Sequence, residues 1–235
     1  LSRYTQSGIE PSEGSAKPAK NIKAVRDILG IRASDNLMHA NFALIVEGQE
    51  DVIALRALLP TLSKKIGNAL KNHIFVIEQL GGAGNLSYKI SQLKNALCTT
   101  HIFLDHDESG KQSFNRAVAD GLASISNTTF TICSGFTESE FEDTIDPSIY
   151  KPRIQTDFGV SLDHPTFSGS KKWSSRIKAT FEAQGKPCSN ATLTKVKYIV
   201  AEEIQKSPQD ALHPDHHRSS SILALKDSLE LMIKS

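Results

Sequence analysis

Several function classes are excluded by what this chain lacks. Its 3 cysteines, Cys98, Cys133 and Cys188, are far apart and odd in number, with no CxxC or HxxC spacing. That argues against a disulfide framework or a cysteine-based zinc site, and it points to a reducing, cytoplasmic compartment. The longest apolar run is "FALIV" at 42–46, far short of a membrane span, and no charged-then-apolar signal segment opens the chain. No GxxxxGK[ST] loop is present, so these 235 residues supply no ATPase of that type. A net charge of +1 favours neither a polyanionic nor a membrane partner. With 39% hydrophobic and 23% charged residues, the composition is that of a globular protein able to bury a core.

The distribution of charge says more than its sum. Residues 42–150 hold 8 Lys/Arg against 13 Asp/Glu, whereas residues 151–235 hold 13 against 9. An acidic segment that can collect cations precedes a basic one that can meet phosphates.

Residues 1–20 are rich in Ser, Gly, Pro and charge and read as a flexible linker. "NIKAVRDILGI" then predicts a short helix stopped at Gly30. From Phe42 onward the apolar runs "FALIV", "HIFVI", "HIFL" and "TFTIC" alternate with the helix-compatible stretches "QEDVIALRALLP", "NLSYKISQLKNAL" and "KQSFNRAVADGL". Unalternated apolar runs suit parallel strands covered by helices on both faces, which predicts an α/β domain with four parallel strands over 42–147. Beyond Pro147, "KKWSSRIKATFEAQ", "ATLTKVKYIVAEEIQK" and "SSSILALKDSLELMIKS" carry apolar residues at helical spacing and predict a smaller helical domain over 148–235. Ser219, Ser220 or Ser221 is the expected cap of its last helix.

The chemistry lies where acids follow strands. Functional groups of an open parallel sheet gather outside its carboxyl ends. Glu47 follows the first strand, with Asp51 one helical turn further on, and "FLDHDESG" puts Asp105 and Asp107 after the third. If those strands are neighbours, the four acids converge. Close carboxylates need a cation or a raised pKa, and an all-oxygen set suits Mg²⁺ or Mn²⁺. "TESEFEDTID" adds Glu138, Glu140, Glu142, Asp143 and Asp146 after the fourth strand, enough acids for two metals. Bland readings compete at each position: DxD beside Ser and Gly describes turns, and Glu50 and Asp51 would also suit a helix start. Gly81, Gly82 and Gly84 read as a sharp strand-to-helix turn. His213, Asp215, His216 and His217 read as a solvated loop and Trp173 as a packing residue, with metal binding and base stacking as the rarer uses.

The pairing of "LIVEGQED" with "FLDHD" resembles the Toprim domain of topoisomerases, bacterial primases and overcoming-lysogenization-defect (OLD) nucleases. "LGIRASDNLMHANFALIVEGQEDVIALRALLP", "SEFEDTID" and "KKWSSRIKATFEAQGKPC" resemble class 2 OLD proteins over essentially residues 20–235. The resemblance implies a Toprim-type, Rossmann-like domain with a central four-stranded, mainly parallel sheet and a helical domain after it. It also implies a two-metal DNA endonuclease or nickase with a part in phage defence. The ligands would be Glu47, Asp51, Asp105, Asp107, Glu140 and Glu142. Glu47 or Asp51 would position or deprotonate the attacking water, and Lys197, or else Lys172 or Lys186, would stabilise charge on the phosphate. A partner ATPase of the ABC type would precede this chain, which begins at Leu1 and reads as a fragment; ATP would enter only through that domain, and a homo-oligomer is compatible. Two alternatives remain. One is a non-catalytic metal-binding or oligomerisation module that regulates an ATPase. The other is a primase- or topoisomerase-like Toprim, for which the zinc-binding cysteines and a tyrosine in context are missing.

Overall fold

A computed structural model describes residues 3–5, 8–10, 22–30, 37 and 40–234. Two short strands, β1 (Arg3–Thr5) and β2 (Gly8–Glu10), pair antiparallel within the stretch expected to be a linker; residues 11–20 of that stretch lie outside the described residues. Helix α1 (Ile22–Leu29) forms as the spacing predicts and ends at Gly30, whose φ of +67° is a left-handed conformation that suits glycine.

Four strands build the central sheet: β3 (Phe42–Val46), β4 (Phe75–Gln79), β5 (Thr99–Asp105) and β6 (Thr128–Thr131). All pairings are parallel and the order is β4-β3-β5-β6. The chain therefore steps outward from β3 to β4 and then returns to β5 on the other side of β3. That reversal is a topological switch point, and it separates the ends of β3 and β5 into a crevice.

Both faces of the sheet are covered, as the continuous apolar runs require. Alternate residues of β3 go opposite ways: Leu44 and Val46 join one core, Ala43 and Ile45 the other. The second core is closed by α4 (Leu86–Asn95), through Leu86, Ile90 and Leu93, and by Ala117 of α5 (Glu108–Ala119). The first is larger. It takes in Leu55, Leu58 and Leu59 of α2 (Gln49–Leu62) and Ile66 of α3 (Lys64–Lys71), an additional helix that follows the kink-compatible Pro60. It continues without a break into α6 (Pro147–Phe158), α7 (Trp173–Ala183), α8 (Asn190–Lys206) and α9 (His216–Met232). Sheet and helical part share this core.

Helix α6 is one the apolar spacing did not announce, because Pro147 and Pro152 break the pattern. Pro147 nonetheless occupies the first turn, where no N–H is missed, and the Asp146 carboxylate caps it by accepting from Ser148 N–H at 2.8 Å. The last helix starts earlier than expected. Asp215 caps it by accepting from His217 N–H at 2.9 Å, so Ser219 and Ser221 are buried residues inside α9 rather than caps. Trp173 is fully buried and donates to the Tyr150 hydroxyl at 3.1 Å, a packing role. Among the described residues no helix is long and apolar enough to cross a membrane.

Candidate active site

The crevice at the switch point is built by three turns. After β3 the chain makes Glu47–Gly48 and enters α2, with Gly48 as the cap residue and the Asp51 carboxylate accepting from Gly48 N–H at 2.9 Å. Asp51 thus holds the helix start while lying beside Glu47. After β5, Asp107 caps α5 by accepting from Gly110 N–H at 2.9 Å. Helix α5 approaches the strand end so closely that a Cβ on Gly110 would overlap the Asp105 carbonyl oxygen and lie 3.3 Å from Glu47 Oε1. The third turn runs from Glu140 to Thr144. It is pinned to the end of β5 by paired backbone bonds between His106 and Ser139, at 2.9 and 3.1 Å.

These turns bring Glu47, Asp51 and Asp105 together with Lys197 of α8 around a cleft of about 240 Å³, also lined by Gly48, Glu50, Leu80 and Gly82. Gly82, at φ +128°, and Gly81, at +68°, make the sharp turn read from the sequence. Glu47 Oε1 accepts from Asp105 N–H at 3.0 Å, a direct tie across the two neighbouring strands. One Asp105 oxygen accepts from Phe141 N–H at 2.8 Å, which joins β5 to the third turn. Lys197 Nζ lies 3.3 Å from Glu142 Oε1. The other oxygen of Glu142 is buried with no partner.

Asp107 and Glu140 stand to one side with a second lysine. Lys172 Nζ donates to Asp107 Oδ2 at 2.8 Å and lies 3.9 Å from Glu140 Oε1. Both Glu140 oxygens are engaged by Ser174, through its N–H at 2.6 Å and its hydroxyl at 2.9 Å, so Glu140 anchors the start of α7. Lys186 is exposed beyond α7. The other acids of "TESEFEDTID" have structural duties: Glu138 accepts from Glu108 N–H, Asp146 caps α6, and Asp143 pairs with Arg176 while accepting from Glu140 N–H at 2.8 Å and Trp173 N–H at 3.1 Å. Sequence reasoning missed Arg176 and Gly110. No motif marks either; their roles arise from contacts made 33 residues away in one case and 5 in the other.

Burial dominates the electrostatics of the cleft. It lifts Glu47 to about 7, assisted by Asp51 and Asp107 and opposed by the Asp105 N–H. Burial likewise lifts Asp51 to about 6 against the pull of Lys197, and Glu142 to about 8. Asp105 is raised well above the carboxylate range by burial and by Glu47. Asp107 differs: burial would raise it, but the Gly110 N–H and Lys172 hold it below its ordinary value. Burial works against the charge on Lys197 too, yet Glu142, Asp105, Glu140 and Asp51 keep it well above the ordinary lysine range. Crowded carboxylates lowered in dielectric and a single ammonium in their midst are the arrangement that attracts further positive charge.

Among the described residues, no three Asp, Glu, His or Cys side chains are already drawn together in a metal-holding group. His213, His216 and His217 form none; Asp215 is occupied as a helix cap, and His213 accepts from the Asp215 N–H at 3.0 Å. The donors at the cleft are nonetheless all oxygen, and behind Lys197 the buried Glu142 Oε2 lacks any partner. That chemistry fits a hard divalent cation such as Mg²⁺ or Mn²⁺. No protein-family model matches the chain, and comparison with curated proteins finds no match.

Proposed function

We propose that this chain is the catalytic part of a divalent-metal-dependent nuclease that hydrolyses DNA phosphodiester bonds, as a Toprim domain of the OLD type would. The observation that carries the reading is the meeting of Glu47 and Asp105, from adjacent strand ends at the switch point, with the half-buried Lys197. Glu47, Asp51, Asp105 and Glu142 would hold one cation, and Asp107 with Glu140 the edge of a second position. A divalent cation there supplies charge neutralisation on phosphoryl oxygens and lowers the pKa of water.

The chain's own groups account for the rest. Glu47, with a pKa near neutrality and one oxygen free of the Asp105 N–H, can take a proton from water at its Oε2. Lys197 keeps its charge and stabilises negative charge on the phosphate, and Lys172 is placed to meet a flanking phosphate beside Asp107. The proposed setting is cytoplasmic, in company with an ABC-type ATPase domain and with a part in phage defence.

The test is a supercoiled-plasmid assay with Mg²⁺, Mn²⁺, Ca²⁺ or EDTA beside Glu47→Ala and Asp105→Ala proteins. Metal-dependent nicked or linear product that vanishes in both variants supports the nuclease. A second reading is a metal-binding module that regulates an ATPase without cutting. It expects metal to raise the melting temperature while plasmid stays intact.

A further inference from the structure

A second pocket, of about 520 Å³, opens beyond β6, on the far side of the Glu140–Thr144 turn from the carboxylate cleft. Its walls come from Phe136 in the loop after β6, from the Phe167–Ser170 loop, and from Lys151, Arg176 and Arg218. Two of these cations have protein partners. Lys151 meets the exposed Asp163 at 2.8 Å, and Arg176 is consumed by Asp143, the Lys171 carbonyl at 2.8 Å and the Phe167 carbonyl at 2.9 Å. Arg218 has no such partner. Its guanidinium carbon stands 4.9 Å from the centre of the Phe136 ring, and no carboxylate lies within ion-pair distance of it among the described residues. Three cations thus meet two carboxylates, and the unmatched one is a half-buried guanidinium over an aromatic ring.

A guanidinium offers five N–H donors in a fixed fork that matches phosphate, and that of Arg218, half-buried in the pocket wall, has no carboxylate competing for them. Phe136 follows β6, the strand two spacings, about 10 Å, from β3, and the Glu140–Thr144 turn pairs Asp143 with Arg176 of the pocket and Glu142 with Lys197 of the cleft. A nucleic-acid strand carries one charge per ~3.4 Å of axis, so phosphates a few nucleotides apart span distances of that order.

We infer that this pocket holds a phosphate of the nucleic-acid strand, a few nucleotides from the bond in the cleft, with Arg218 as its ligand and Phe136 fixing the guanidinium plane. The inference rests on the nuclease reading for its substrate class. Lys151 and the Ser168 and Ser170 hydroxyls complete the lining.

The test is binding of a fluorescein-labelled 20-nucleotide DNA, single-stranded and duplex, by anisotropy in EDTA over a series of salt concentrations. Arg218→Gln should weaken binding severalfold, equally for two unrelated sequences, and reduce the log–log salt slope by about 1. Arg218→Lys should keep most of that slope. Ser170→Asp, in an exposed loop, should weaken binding without touching Arg218, which keeps the test decisive if Arg218→Gln folds poorly. An unchanged slope in both Arg218→Gln and Ser170→Asp overturns the inference. So does inorganic phosphate binding that depends on Arg218 while DNA binding does not, because the occupant is then a free anion. Plasmid left intact by a wild type whose DNA binding depends on Arg218 defeats the hydrolysis reading and upholds the pocket.

Discussion

Glu47 and Lys197 impose opposite demands on the same small volume. Glu47 is half-buried and surrounded by acids, and burial with those neighbours pushes its pKa up to about 7. Lys197 is the ammonium that makes the neighbouring carboxylates tolerable, with Glu142 at 3.3 Å. Replacing Glu47 by Gln keeps an oxygen to accept the Asp105 N–H and removes a potential charge. We expect the metal-free Glu47→Gln protein to melt at or above the wild-type temperature at pH 8, to lose the rise in melting temperature that Mg²⁺ gives the wild type, and to cut plasmid at least ~100-fold more slowly. A variant that kept the Mg²⁺-induced rise would remove Glu47 from the ligand set. Lys197→Met should act in the other direction on stability. It leaves Asp51 and Glu142 without their counter-charge and should cost about 3 kcal/mol at pH 9, above the pKa of both. The loss should shrink at pH 5.5, where Asp51 and Glu142, with pKa values of about 6 and about 8, are already protonated. Denaturant titrations at the two pH values measure both numbers; equal losses would mean that the lysine does not interact with those acids.

Strand β5 carries a second titrating group, away from the cleft. His101 is buried and its Nε2 meets the Thr129 hydroxyl of β6 at 2.8 Å; burial lowers its pKa to about 4. The unfolded chain, with an ordinary value of 6.5, takes up a proton between pH 6.5 and 4 that the folded chain refuses, so this group withdraws stability as pH falls through that window. The withdrawal amounts to about 3 kcal/mol by pH 4. His101→Gln, which can still bond Thr129, should flatten the acid limb of the stability curve by that amount; an unaltered limb would refute the assignment. Strands and helices of this kind were largely legible in the sequence. "FALIV" and "HIFL" were readable because both sheet faces are covered, and α2, α4, α5, α7 and α8 because their apolar residues fall on one side. Glu47, Asp51 and Asp105 were legible from their places after strands, and the structure gathers them around one cleft. What escaped was set by tertiary contact. Prolines obscured α6, Asp215 displaced the serines as the cap of α9, and nothing local marks Gly110 as the point where α5 touches Asp105. Gly110→Ala should therefore be more harmful than an ordinary helical substitution, which by propensity alone would stabilise by up to ~1 kcal/mol. A lower melting temperature and a weaker metal response are expected together, since the displaced atoms are the Asp105 carbonyl and Glu47 Oε1.

At the scale of the molecule, the cleft belongs to two parts of the chain at once. Its carboxylates come from residues 47–105 and its ammonium from α8, and the larger core binds the parts together: Leu44, Phe75 and Phe103 of the sheet lie in one apolar cluster with Trp173, Val200, Ile222 and Leu229. Such a cluster is buried only when both parts are folded. Removing 148–235 would uncover one face of β3 and β5 and much of α2, and each large apolar side chain returned to water costs roughly 1.5–3 kcal/mol, so a few of them exceed the whole stability of an ordinary domain. The chain should therefore unfold in a single cooperative step by calorimetry, with near-ultraviolet signals from Trp173 and far-ultraviolet signals from the helices changing together. A fragment of residues 40–147 should fail to fold and should bind no Mg²⁺ in the cleft, because Lys197 is also missing from it. Two separate transitions, or a folded 40–147 fragment, would show that the strand-bearing and helical parts are independent units, and the positioning of Lys197 would then depend on how they dock rather than on a common core.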